Sequence, residues 1–213
     1  YSGQAGSSTP GRIAGAILAG GGSRRMGGGV KALLDLGGKP MIGHVIGRLE
    51  PQVDRLYLSV ESLSPEFEAL GLEQLPDPRP GSNGPLGGLA ACLRRATADG
   101  CRWLLLAPCD APFLPRNLGL RLVEQAKTCG TGIAVVRSCG HLQPTFSLWH
   151  REVLAEVERA AILEGTAGFR RFLSGHPHSI LDWPDSPADP FFNVNDRAAL
   201  AEAIKMMARL EEA

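Results

Sequence analysis

The sequence predicts a three-layer α/β/α domain on a mostly parallel central sheet, and three observations predict it. Short apolar runs alternate with amphipathic stretches through most of the chain, the pattern of strands joined by covering helices. One run, Trp103 to Ala107, is apolar at every position, as a central parallel strand buried on both faces requires. The two segments richest in chemistry, the glycine turn after Leu18 and Asp110, each follow such a run. Open α/β sheets bind their ligands beyond the carboxyl ends of the strands, where those segments fall.

The elements follow in order. Ile13 to Leu18 is a buried strand that stops at Gly20-Gly21-Gly22. Lys31 to Leu36 reads as a short extended piece, and Gly37-Gly38-Lys39-Pro40 as a tight turn. Pro40 suits the first turn of a helix whose apolar face is Ile42, Val45, Ile46 and Leu49. Leu56 to Val60 is a second strand, Ser64-Pro65 opens a short helix, and Leu72 to Leu75 is a weak strand. After Asn83-Gly84-Pro85 comes a helix with the stripe Leu86, Leu89, Ala90 and Leu93. The strand Trp103 to Ala107 ends at Pro108-Cys109-Asp110, and a helix runs from Leu118 to Lys127. Ile133 to Val136, Thr145 to Trp149 and Ser179 to Trp183 are strands, and Glu152 to Ile162 is helical. Phe191 to Val194 is extended. Asp196 is placed to cap a last helix carrying Leu200, Ala203, Ile204 and Met207 on one side.

Composition narrows the function classes. Hydrophobic residues are 44% and charged residues 21%, a globular balance that excludes disorder as the main state. Lys plus Arg is 22 and Asp plus Glu is 22, so the basic excess of a nucleic-acid or anionic-membrane surface is missing. A local basic pocket for one small anion remains open. No apolar run approaches the roughly 18 residues of a membrane span. Tyr1 to Arg12 reads as a flexible extension or cloning remnant, and residues 13–213 as a single domain. The five cysteines (Cys92, Cys101, Cys109, Cys129, Cys139) form an odd set with no C-x-x-C. They read as reduced, mostly buried thiols of a cytoplasmic protein.

The most informative stretch is Leu18 to Lys31. Two glycine triplets let main-chain N–H groups converge on an anion, and Arg24, Arg25 and Lys31 add charge to the same loop. The chemistry suggested is polyphosphate binding. Neither the P-loop nor the G-x-G-x-x-G fingerprint fits, since Ala32 follows Lys31 and Arg25 stands where the third glycine belongs. Asp110, beyond the buried strand, is a hard-oxygen ligand suited to Mg²⁺ carried by a polyphosphate, or alternatively a cap on the next turn. His141 could donate to a phosphate, although a lone histidine is more often an ordinary surface residue. His176 and His178 have no third ligand at metal spacing. Trp103, Trp149 and Trp183 read as packing.

Together the pieces LAGGGSRRMGGGVKALLDLGGKP, NGPLGGL, APCDAPFLP, HLQPTFSLW and FFNVN, spanning Leu18 to Asn195, resemble the nucleotidyltransferase superfamily. That superfamily shares an L-x-G-G-x-x-x-R-M-G loop with a following Lys, and a metal-binding Asp after a later strand. Within it the chain is similar to the molybdenum cofactor guanylyltransferase family (molybdopterin-guanine dinucleotide biosynthesis protein A). The resemblance implies a Rossmann-like nucleotidyltransferase fold, with the N-terminal half binding nucleotide and the C-terminal half molybdopterin. It implies transfer of GMP from GTP to the terminal phosphate of molybdopterin, with release of pyrophosphate and Mg²⁺ (or Mn²⁺) as cofactor. The implied partners are GTP and molybdopterin, with transient contact to a molybdopterin-transfer or molybdoenzyme chaperone protein.

Carried over residue by residue, the resemblance makes Arg25, Lys31 and Asp110 catalytic and Asp110 the metal ligand. Leu18, Ala19 and Gly20 approach the guanine, Gly21 the phosphates, and Arg25 and Lys31 the triphosphate. Ser59, Asp77, Gly84 and Pro85 line the nucleoside side, while His141, Gln143, Asn193 and Asn195 face the pterin. A carboxylate such as Asp77 can accept from both N1–H and the N2 amine of guanine. The sequence departs from the family at Val30, where Asp is frequent before the Lys, and at Ser59 and Glu61, where Asn often ends the second strand. Leu18-Ala19-Gly20-Gly21 favours the guanylyl over the related cytidylyl enzymes, whose loop resembles L-A-A-G. The alternatives are a cytidylyltransferase, a sugar-1-phosphate nucleotidylyltransferase, or a non-catalytic GTP-binding accessory protein.

Overall fold

The computed structural model describes residues 11–20, 30–78, 84–166, 168–184 and 189–211, with residues 210 and 211 described by backbone alone. One sheet of seven strands organises the molecule: β1 (Ile13–Leu18), β4 (Arg55–Val60), β5 (Glu73–Pro76), β6 (Trp103–Pro108), β7 (Ile133–Ser138), β8 (His141–His150) and β9 (Ser179–Asp182). Their spatial order is β5-β4-β1-β6-β8-β7-β9. Six strands run the same way, and β8 alone runs against its neighbours β6 and β7. A small second sheet pairs β2 (Asp35–Leu36) with β3 (Lys39–Pro40).

The period of two along each strand divides the core between the faces. In β6, Trp103, Leu105 and Ala107 join one cluster with Ile42, Val45 and Leu49 of α1 (Met41–Leu49) and Leu118, Leu122 and Val123 of α3 (Leu118–Cys129). Leu104 and Leu106 join the other, with Leu89 and Leu93 of α2 (Leu86–Ala98), Val157 of α4 (Leu154–Glu158) and Phe169 and Phe172 of α5 (Phe169–Ser174). Every residue of β6 is buried, as the continuous apolar run predicted. Burial of each of its leucines contributes roughly 1.5–3 kcal/mol. A third, smaller cluster of Leu36, Met41, Phe113, Val194, Ala203 and Met206 seats α6 (Arg197–Glu211) against the β2–β3 hairpin. Asp196 caps α6 by accepting from the Ala199 amide at 2.8 Å.

Several elements depart from the sequence reading. Lys31–Leu33 is a 3₁₀ turn rather than extended chain: the Leu33 amide returns to Val30 O at 2.9 Å, which buries Ala32. Phe191 to Val194 forms no ladder. Asp189 turns the chain there, its carboxylate accepting from the Phe191 amide at 3.0 Å and its carbonyl from Phe192 at 3.2 Å. Ile204 is 49% exposed, since α6 rests on a narrow cluster and Met206 occupies the buried side instead. The helical stretch after β8 is a 3₁₀ turn, then α4, then a π-helical turn at Arg159–Leu163. α5 was not foreseen, although Phe169, Phe172 and Leu173 carry helical spacing.

β7 and β8 are longer than predicted and form a hairpin through Cys139 (φ 48°) and Gly140 (φ 74°). Two successive left-handed residues make the tight turn that matches strand twist, and that turn puts β8 antiparallel inside an otherwise parallel sheet. The five cysteines are unpaired, but Cys129 and Cys139 are exposed, not buried. Trp103 and Trp149 are core residues. The guanidinium of Arg121 sits 3.9 Å over the ring of the half-buried Trp183. Among the described residues, no helix is long and apolar enough to cross a membrane.

Candidate active site

The order of the strands locates the site. β4 and β5 follow β1 on one side, and the chain then crosses to place β6 on the other. That reversal leaves a crevice at the carboxyl ends of β1 and β6. Leu18 and Pro108 are direct neighbours there, and the Cys109 amide extends the ladder to Leu18 O at 3.1 Å. The chain leaving β1 is also held on its other flank, where the Ala19 amide donates to Ser59 O at 2.8 Å. Gly20 must be glycine: a Cβ would meet the Glu61 amide nitrogen at 2.9 Å. Leu18 and Ala19 are half-buried and Gly20 exposed, so the backbone opens to solvent where the cation-rich loop begins.

Lys31 returns from that loop to the same crevice. Its Nζ donates to Asp110 Oδ2 at 2.5 Å and to Asn195 Oδ1 at 2.9 Å. The side chains of Lys31 and Asp110 are 13% and 16% exposed. The lysine after the glycine loop and the acid beyond β6 therefore share one small volume, although 79 residues separate them. Arg25 and Gly21, two further predicted contacts, lie outside the described residues. Burial, with the Asp110 charge adding to it, pushes the Cys109 thiol up to about 12. A thiol so held stays protonated at neutral pH and is no nucleophile.

The third arm of the crevice comes from the far end of the chain. Residues 189–195 cross the carboxyl edge of the sheet as a strap. Ser138, the last residue of β7, donates to Asp189 Oδ1 at 3.1 Å, and the Val194 amide donates to Asp110 O at 2.8 Å. Between these anchors Asn193 turns back on its own loop, its Nδ2 donating to Phe191 O at 3.1 Å. Asn195 instead reaches Lys31. His141 is exposed and Gln143 half-buried on β8, opposite Ser138 and Val136. Because β8 is antiparallel, its beginning lies on the same edge as the ends of β6 and β7. Sequence reasoning missed Asp189, which no motif marked, and the tie of the Val194 amide to Asp110, although Val194 lies within the FFNVN piece.

Ser59, Asp77, Gly84 and Pro85 gather around the start of α2. The Asp77 amide donates to Val60 O at 2.9 Å, just past β5. The Asp77 carboxylate lies so close to Gly87 that any Cβ there would collide with it. A carboxylate beside the first turn of a helix is favoured by the helix dipole. Gly84 and Pro85 form the turn into α2. Ser59 is only 4% exposed, with its hydroxyl against Gly88 and the buried Cys92.

The donor set bears on metal binding. Among the described residues no three His, Cys, Asp or Glu side chains converge as a protein-only cage. Asp110 offers a hard carboxylate oxygen beside the Lys31 ammonium. That suits Mg²⁺, which takes one or two carboxylates and completes its shell with phosphate oxygens and water. A separate cleft of about 400 Å³ lies at the opposite edge, by Arg55, Tyr57, Glu73, Arg95 and Asp99. Several of its polar groups pair with one another: Arg95 with Glu73 at 2.9 Å and with Asp99 at 2.5 Å, and Tyr57 donates to Asp99 at 2.5 Å. It reads as a structural network far from the switch point.

Comparison with known proteins gives the family and the fold. Residues 15–180 match the model of the MobA-like NTP transferase domain. The chain belongs to that family. It is 37% identical over 195 residues to the molybdenum cofactor guanylyltransferase of Rhodopseudomonas palustris strain BisB5, covering 91% of this chain and 93% of that one. The molybdopterin-guanine dinucleotide biosynthesis protein A of Archaeoglobus fulgidus superposes with a TM-score of 0.73 at 23% identity, covering 92% and 99%. A Mycobacterium tuberculosis protein solved in complex with manganese superposes with a TM-score of 0.64 at 18% identity, covering 91% and 98%. The solved structures show the shared fold, and Lys31 and Asp110 lie within residues 15–180.

Proposed function

We propose that this protein transfers GMP from GTP to the terminal phosphate of molybdopterin, forming the guanine dinucleotide cofactor and pyrophosphate. The observation that carries the reading is the convergence of Lys31 and Asp110 at the topological switch point of a MobA-like NTP transferase. The likeness to a molybdenum cofactor guanylyltransferase along nearly the whole chain supports the choice of substrates. In this reading the N-terminal half binds GTP, the C-terminal half binds molybdopterin, and the product passes to a chaperone in the cytoplasm.

The nucleophile is a phosphate oxygen of molybdopterin, already anionic near neutral pH. It attacks the α-phosphorus of GTP while the bond to the β-phosphate oxygen breaks. No covalent enzyme intermediate is needed, which suits a site whose neighbouring thiol stays protonated. The obstacle is repulsion between two anions, so catalysis is positioning plus charge neutralisation. Lys31 and Arg25 hold the triphosphate, Leu18, Ala19 and Gly20 approach the guanine, and Gly21 is assigned to the phosphates. Asp77, with Ser59, Gly84 and Pro85 behind it, reads the guanine edge. Asn193, Gln143 and His141 face the pterin. Asp110 would hold Mg²⁺, with Mn²⁺ as a substitute; bound there with the nucleotide, the ion would neutralise charge building on the leaving pyrophosphate.

Purified protein, molybdopterin and each of GTP, CTP, ATP and UTP test the reading by pyrophosphate release and dinucleotide formation. GTP alone should give the dinucleotide. Turnover with CTP, or only with a sugar-1-phosphate acceptor, would move the assignment to the related transferases. GTP binding without product from any acceptor would make it an accessory protein.

A further inference from the structure

Lys31 must change partners for the proposed reaction to occur. Its ammonium rests on Asp110, the one described carboxylate that reaches it by hydrogen bond. If Asp110 turns to the metal, the aim of the lysine falls to its remaining partners. A long side chain held in one rotamer gives up conformational entropy, so a second anchor has consequences. Asn195 Oδ1, 2.9 Å from Nζ, is such an anchor. A neutral amide oxygen can hold an ammonium without competing with the triphosphate for its charge.

The backbone fixes Asn195 from both sides. Val194, immediately before it, is fully buried in the cluster with Leu36, Met41 and Phe113, and its amide is tied to Asp110 O at 2.8 Å. Asp196, immediately after it, caps α6. A residue pinned between a buried neighbour and a helix cap presents its side chain from a rigid base. The contrast with Asn193 sharpens the point: Asn193 turns its amide to Phe191 O and away from Lys31.

We infer that Asn195, although it stands on the strap facing the pterin, is a positioning residue for the nucleotide side: it keeps its hold on the Lys31 ammonium when Asp110 turns to the metal, so that the lysine stays aimed at the triphosphate. This rests on the reading of Lys31 as a triphosphate contact. It also ties the two halves of the site together, because the strap that faces the pterin holds the cation that faces GTP.

The test is a double-mutant cycle on binding of a fluorescent GTP analogue with Mg²⁺, using wild type, Asn195→Ala, Lys31→Ala and the double variant. Asn195→Ala should weaken binding roughly five- to tenfold in the wild-type background and less than about twofold in the Lys31→Ala background. A purely structural effect of Asn195 would weaken both backgrounds by the same factor, and that result overturns the inference. So does unchanged analogue binding in Asn195→Ala accompanied by a raised KM for molybdopterin, which would make the residue a pterin contact only. Unchanged binding in Lys31→Ala would instead sink the underlying reading of the phosphate site.

Discussion

Asp110→Asn removes one charge and almost no volume, so it separates the chemistry of the site from its packing. Two magnitudes follow. The first concerns stability. The Lys31–Asp110 pair is neither fully buried nor at the surface, with side chains 13% and 16% exposed. Exposed pairs contribute at most about 1 kcal/mol, while breaking a buried pair costs about 3–5 kcal/mol. Asn195 still accepts from Lys31 in the variant, so the loss should stay near the lower figure, about 1–2 kcal/mol. For a chain of 213 residues that lowers Tm by about 2–8 °C and leaves the protein folded at 25 °C. The second magnitude concerns turnover. Losing one preorganised charged group at a developing anion costs about 3–4 kcal/mol in the transition state, on the order of 10²–10³ in rate. A thermal melt beside a pyrophosphate-release assay at saturating GTP and Mg²⁺ reads both. Turnover within about threefold of wild type would refute the role of Asp110. Loss of turnover accompanied by an unfolded melt would refute the claim that its charge serves chemistry more than structure.

Two further substitutions test the frame around the site. Tyr57 is buried, and burial, reinforced by its hydrogen bond to the Asp99 carboxylate, raises its phenol well above the ordinary value of 10.0. Above about pH 10 the unfolded chain loses this proton while the folded chain keeps it, so stability falls as pH rises by up to about 1.4 kcal/mol per unit. Tyr57→Phe should flatten that alkaline fall in denaturant melts; an unchanged slope would show that Tyr57 is not its source. Gly88→Ala should destabilise the protein by about 1–3 kcal/mol, because the new Cβ meets Ser59 Oγ. Adding Ser59→Ala should restore the melt, since the next Ser59 atom, its Cβ, stands 3.6 Å away. Failure of that rescue would disprove the account of how α2 seats on β4.

Much of this molecule was legible in its sequence. The run Trp103 to Ala107 announced the central strand because burial on both faces leaves no room for polar residues. Leu18 and Asp110 could be assigned to one end of the sheet because the first ends an apolar strand and the second follows one. Asp196 could be read as a cap because capping is local. What stayed hidden was non-local or irregular. The reversed β8 depends on a Cys139-Gly140 turn that lacks the usual Asn-Gly signal. The strap from Asp189 to Asn195 has no periodicity to read, since side-chain and backbone contacts to Ser138 and Asp110 hold it. Asn195 meets Lys31 across 164 residues, and no spacing rule reaches that far. Family resemblance could mark Asn195 as a site residue, but only the geometry shows which neighbour it touches.

The central claim is that a metal-bound nucleotide sits in the crevice between β1 and β6. Crystals grown with manganese and a non-hydrolysable GTP analogue would test it directly through the anomalous signal of the ion. The account predicts a single strong peak in bonding contact with the Asp110 carboxylate, with the triphosphate beside it and Lys31 swung onto a phosphate oxygen. A peak elsewhere, with Lys31 still resting on Asp110 and the nucleotide outside the crevice, would contradict it.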